Sequence, residues 1–116
     1  MVETLQIYKD SYRLVVMIHR SLNEMTRKDR FSIGVRMTES ALEMVDYITL
    51  AYLTKEKIDR LNSLGNFFRS FTRLQTYLRL CLDLSLLSLN TLSVMHPLID
   101  DISKQYNGWK YKTSRM

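Results

Sequence analysis

A chain of 116 residues favours one domain around a single core. Three glycines and one proline, set among abundant Leu, Met, Arg and Lys, favour long helices on short connections and leave too few turn residues for a sheet protein. The formal net charge is +5, no uncharged apolar run of about 18 residues occurs, and Glu3, Lys9, Asp10, Arg13 and Arg20 interrupt the amino-terminal stretch, which excludes a membrane span or signal peptide and leads us to expect a cytoplasmic protein.

Four segments carry apolar residues at alternating spacings of three and four, the pattern of a packed helix face. In the first, expected over about residues 3–26, the seam is Leu5, Tyr8, Tyr12, Val15, His19 and Leu22. The second, about 30–53, follows the polar stretch from Thr26 to Arg30, where Asp29 is placed to cap the helix start. Its seam is Ile33, Met37, Ala41, Met44, Ile48 and Ala51 or Tyr52.

The third segment, about 55–87, opens after Thr54, which is suited to cap it, with Glu56 on the favourable side of the helix dipole. Its seam runs Leu64, Phe67, Phe71, Leu74, Leu78 and Cys81. At roughly 32 residues it would reach about 48 Å. The fourth, about 89–107, starts at Ser88 or Asn90 and runs Leu92, Met95, Ile99, Ile102, Tyr106 and Trp109. Gly108 sits where a left-handed cap would end it, and Pro97 predicts a kink or local break inside it.

Four helices on short links fold as an all-α, up-and-down antiparallel four-helix bundle over residues 1–110, followed by a basic tail at 111–116. Read as one helix, Leu78 through Leu92 is apolar on all sides. Such a helix needs burial on all sides, which in so small a bundle predicts a homo-oligomer.

Charge is unevenly spread. Residues 1–54 hold seven Lys or Arg against seven Asp or Glu, whereas 55–116 hold ten against five. Beyond Asp101 the chain carries Lys104, Lys110, Lys112 and Arg115 and no acid, a pattern that attracts phosphate.

Four stretches give the chain a resemblance to a known family: Asp29-Arg-Phe-Ser-Ile-Gly34, Ala41-Leu-Glu-Met-Val-Asp-Tyr-Ile48, Leu78-Arg-Leu-Cys-Leu-Asp-Leu84, and Ile99-Asp-Asp-Ile-Ser-Lys-Gln-Tyr-Asn-Gly-Trp109. Together they resemble the accessory variability determinant proteins of diversity-generating retroelements, whose four-helix superfamily includes the intervening-sequence proteins of bacterial ribosomal RNA genes. The family's closing paired glycine is Asn107-Gly108 here, and Pro97 is a second departure. The resemblance implies a homopentamer that catalyses nothing, binds RNA and DNA through a basic surface, and docks a reverse transcriptase making error-prone complementary DNA.

Three basic groups are candidates for nucleic-acid contact. Arg69 and Arg73, four apart, share a helix face and can span a phosphate, while Arg79 lies about 240° around from Arg73; a solvated face, or pairing to Asp83, Asp100 or Asp101, is the alternative. Lys104, Lys110, Lys112 and Arg115 interleave with Tyr106, Trp109 and Tyr111, aromatics that either stack on unpaired bases or, for Tyr106 and Trp109, continue the core seam. Arg27, Lys28 and Arg30 surround Asp29 in the first connection, as a phosphate site or as a polar capping loop. Binding through these groups would be largely independent of sequence and would weaken steeply with salt.

No catalytic, metal-binding or cofactor-binding constellation is legible: there is no Gly-rich phosphate loop, no clustered His, Asp, Glu or Cys, and Cys81 stands alone as a buried thiol. Arg13 and His19 superficially match helical ribonucleases, yet six residues place them on different helix faces. A ribosomal-RNA-insert scaffold without a polymerase partner is the alternative to a retroelement accessory protein.

Overall fold

The computed structural model describes residues 1–116 and is all-helical. After a short 3-10 turn at Val2–Thr4, α1 spans Gln6–Ser21. Helix α2 is continuous from Arg27–Asp29 through a π-helical turn at Arg30–Gly34 into Val35–Leu53. Helices α3, Lys57–Asp83, and α4, Leu89–Ser114, complete the bundle. Each helix packs on its neighbour in sequence and α4 closes back on α1, giving an elongated body of 46 × 24 × 23 Å. No helix is long and apolar enough to cross a membrane.

The core follows the expected seams of α2 and α3. Met37, Ala41, Met44 and Ile48 from α2 interlock with Leu64, Phe67, Phe71, Leu74 and Cys81 from α3, all buried. Phe67 is stacked between Phe71, at 5.7 Å between ring centroids, and Tyr106 of α4, at 5.6 Å. Burying each such ring contributes roughly 1.5–3 kcal/mol.

The face of α1 differs from the expected one. The buried strip is Ile7, Leu14 and Ile18, continuing to Met25, whereas Tyr12 is 56% exposed and His19 lies at the surface. Polar residues interrupt the buried strip at Asp10, Ser11 and Ser21, so apolar spacing marks the neighbouring strip, of which Leu5, Tyr8, Val15 and Leu22 do pack against the core, partly buried. Asp10 is tolerated there because Gln6 and Gln105 donate amide hydrogens to its two oxygens, at 2.8 and 2.7 Å. The Ser11 hydroxyl is buried without a partner. Ser11→Ala therefore removes a desolvated polar group and should raise stability by about 1 kcal/mol, read as a higher denaturant midpoint at unchanged slope.

Capping chemistry explains the helix boundaries. Thr26 accepts the Asp29 amide at 3.3 Å and donates to its carboxylate at 3.0 Å, so α2 begins at Arg27, earlier than expected. Glu56, not Thr54, caps α3 by accepting the Ile58 amide at 3.1 Å; Thr54 ends α2 instead. Ser88 accepts the Thr91 amide at 3.1 Å and caps α4.

A second clamp on the α4 start comes from Glu24, in the turn after α1. Its carboxylate accepts the Ser88 amide at 3.0 Å and the Thr91 hydroxyl. These donors, the Thr91 hydroxyl first, hold the carboxyl below its ordinary range. The depressed folded-state pKa makes the contribution fully present above the unfolded value and lost as pH falls through the folded one. Glu24→Gln should thus lower the melting temperature at about pH 7, and the difference from wild type should shrink as pH falls through the folded-state pKa.

Two expected boundaries are corrected. Helix α3 stops at Asp83, so the leucine-rich stretch from Leu78 to Leu92 is a helix end, a turn and a helix start, not one all-round apolar helix. Ser85 adopts φ 57°, Leu86 N–H donates to Cys81 at 2.8 Å and Ser85 N–H to Leu82 at 3.1 Å, the paired bonds of a Schellman ending. A serine in this left-handed conformation is strained, and Ser85→Gly should stabilise by about 0.5–1 kcal/mol in thermal unfolding. Helix α4 continues past Gly108 to Ser114, so residues 111–114 are helical and not a tail. Thr113 is buried and its hydroxyl donates to Trp109 O at 2.8 Å, which anchors the last turn. The helix also runs through Pro97 without a break, since Pro97 lies on the exposed face and water can serve the carbonyl it leaves free.

Candidate nucleic-acid interface

The first turns of α2 form the densest group of unpaired cations. The Thr26 cap, whose hydroxyl bonds the Asp29 amide and carboxylate, starts the helix with Arg27, Lys28 and Arg30 all exposed to solvent. The Arg27 guanidinium lies over the Phe31 ring, 5.7 Å from its centroid. Phe31 is 71% exposed, a costly position for a large apolar ring. The π-helical turn shifts the following residues relative to a regular helix, and buried Gly34 lets it pack: a Cβ there would come within 3.2 Å of Leu22.

Arg27, Arg30 and Phe31 line one concavity with His19 of α1, about 630 Å³ in volume, and Glu39 is the sole carboxylate on its wall. Cations around an exposed aromatic ring are the combination that holds a phosphate backbone while a base stacks. On its other side Phe31 borders a concavity that includes Val35, Tyr77, Leu80 and Leu84 together with Asp29, Arg36 and Glu39.

The remaining candidates lie elsewhere. Arg69 and Arg73 are exposed on the outer face of α3, where Arg73 Nε donates to the Tyr77 hydroxyl at 3.3 Å. Arg79 pairs with Asp83 at 3.7 Å, both well exposed, which adds little stability and offsets that charge locally. Of the nine candidates, Arg79 alone is ion-paired. Lys104 borders a shallow concavity with Asp10, Arg13 and Asp101. Lys110 and Lys112 are exposed on the last turns of α4, which the antiparallel topology places at the opposite end of the bundle from Arg27. Arg27, Lys28 and Arg30 therefore come together, Arg69 and Arg73 form a second patch, and the carboxy-terminal lysines a third.

Tyr106 is unavailable for stacking on bases: it is buried, 5.6 Å from Phe67 and 4.9 Å from Phe68, and burial raises its hydroxyl pKa. Two residues of the α2 site were missed in the sequence. Phe31 stands directly beside Arg30, a visible signal, whereas apolar spacing places His19 in the core seam and the structure places it at the surface. Arg13 and His19 border different concavities and share no site. Cys81 is buried with its Sγ 3.5 Å from Met37 Sδ, and burial first, then Asp29, pushes the thiol up to about 11, so it is not a thiolate at neutral pH.

Fold and surface thus define an all-α four-helix bundle with basic patches and two exposed aromatics beneath cations, Phe31 under Arg27 and Tyr111 under Arg115. Comparison with protein-family models and with curated proteins finds no match.

Proposed function

We propose that this protein is a non-catalytic, homo-oligomeric nucleic-acid-binding accessory protein that grips phosphate without reading sequence. The observation that carries this reading is the run of exposed cations Arg27, Lys28 and Arg30, none of them ion-paired, with Arg27 over exposed Phe31 and Arg30 beside it. The finer role, docking a reverse transcriptase and template RNA for mutagenic complementary-DNA synthesis in a diversity-generating retroelement, rests on the four resembling stretches between Asp29 and Trp109. Self-association is supported by the apolar surface that Leu80, Leu84, Val35 and Phe31 expose at one end of the bundle.

A gel-shift series with single-stranded RNA, single-stranded DNA and duplex at rising salt tests the binding. Retention at low ionic strength that falls steeply as salt rises is expected. Lack of retention at any salt concentration would remove the nucleic-acid function. Light scattering on the same sample tests the assembly, and a monomer at micromolar concentration contradicts it.

A further inference from the structure

At the end of the bundle opposite Phe31, residues of all four helices line an open concavity of about 550 Å³. Leu5 and Ile7 from the start of α1, Tyr52 from the end of α2 and Trp109 from α4 supply apolar and aromatic wall. Arg60 from the first turns of α3 and Lys112 from the last turns of α4 supply two positive charges, and no carboxylate lines the cavity. Its volume falls within the range of small-molecule sites, about 300–1,000 Å³, and its mixture of apolar wall and few convergent charges is their usual make-up.

The charge at Arg60 is pre-positioned. Its Nε donates to the Ala51 carbonyl at 3.1 Å and the Thr54 carbonyl at 2.8 Å, the free acceptors at the end of α2. The guanidinium plane is therefore held before any ligand arrives, which lowers the entropy cost of binding. Gly108 leaves the α4 side open, because a Cβ there would meet nothing within 4 Å. Lys112, 52 residues from Arg60 along the chain, borders the same space only because α4 runs antiparallel to α3.

We propose that this cavity binds a small planar aromatic anion, its carboxylate or phosphate on Arg60 and Lys112 and its ring against Trp109 and Tyr52. This inference uses neither Phe31 nor the cations around it, and it shares only Lys112 and Trp109 with the carboxy-terminal nucleic-acid candidates. Trp109 is the sole tryptophan of the chain, so its indole N–H resonance reports on the cavity without ambiguity.

The test titrates the full chain with phenyl phosphate, benzoate and neutral benzyl alcohol, following the Trp109 indole resonance and the binding heat. Both anions should shift the resonance saturably with Kd below about 1 mM, and benzyl alcohol should bind at least about tenfold more weakly. Lys112→Gln should weaken phenyl phosphate about tenfold, and Gly108→Leu, which puts a side chain into the opening, should abolish the shift; circular dichroism and melting temperature confirm that both variants fold. Absence of a saturable shift, equal binding of benzyl alcohol, or unchanged affinity in folded Lys112→Gln overturns the proposal.

Discussion

Replacing Arg27 and Arg30 with Gln and Phe31 with Ser in one variant is expected to weaken single-stranded RNA binding by about 100-fold at physiological salt. Stacking of one base on an aromatic ring contributes about 1–3 kcal/mol, and each lost phosphate contact removes roughly 0.7 from the logarithmic salt slope. The variant should therefore bind more weakly and also show a slope shallower by about 1.4. All three side chains are exposed, so the melting temperature should barely move. Glutamines in place of Arg69 and Arg73 provide the comparison: the ring under Arg73 is Tyr77, which is partly buried against the core and less open to a base than Phe31, and loss of these cations should cost about tenfold. Equal losses from the two variants would place the interface along α3 and not at the α2 start.

Phe67→Ala is expected to cost about 3–5 kcal/mol. The ring is completely buried and stacks on both Phe71 of its own helix and Tyr106 of α4. Truncation leaves a cavity at the place where α3 and α4 hold each other, and the rigid helices around it relax only partly. Since a domain of this size is stable by roughly 5–15 kcal/mol, the variant should retain a cooperative transition at a much lower urea midpoint. Phe68→Ala is the control. That ring stacks on Tyr106 at 4.9 Å but is 44% exposed, and its loss should cost about 1 kcal/mol. Comparable losses at both positions would mean that Phe67 is not the centre of the core.

Much of the interior was legible in the sequence. The seams of α2 and α3 are uninterrupted apolar series, and every expected α3 position from Leu64 to Cys81 is buried. The start of α4 was legible because Ser88 caps it through its own third residue onward, a purely local bond. The α1 face was not. Its buried strip contains Asp10, and what makes that burial tolerable is Gln105, 95 residues further along. The candidate site divided in the same way. Arg27, Lys28 and Arg30 were recognised as a group, while the concavity that adds His19 to them depends on how α1 docks beside α2.

The amino-acid sequence alone determined that the chain forms four helices, and it determined the buried faces of α2 and α3, because helical period and apolar side chains act over a few residues. Tertiary structure decided the rest: the rotation of α1, the left-handed stop at Ser85, and the meeting of Arg60 with Lys112 at one end of the bundle. Each of these depends on partners distant in sequence or on strain that surrounding packing compensates, and local spacing carries no record of either.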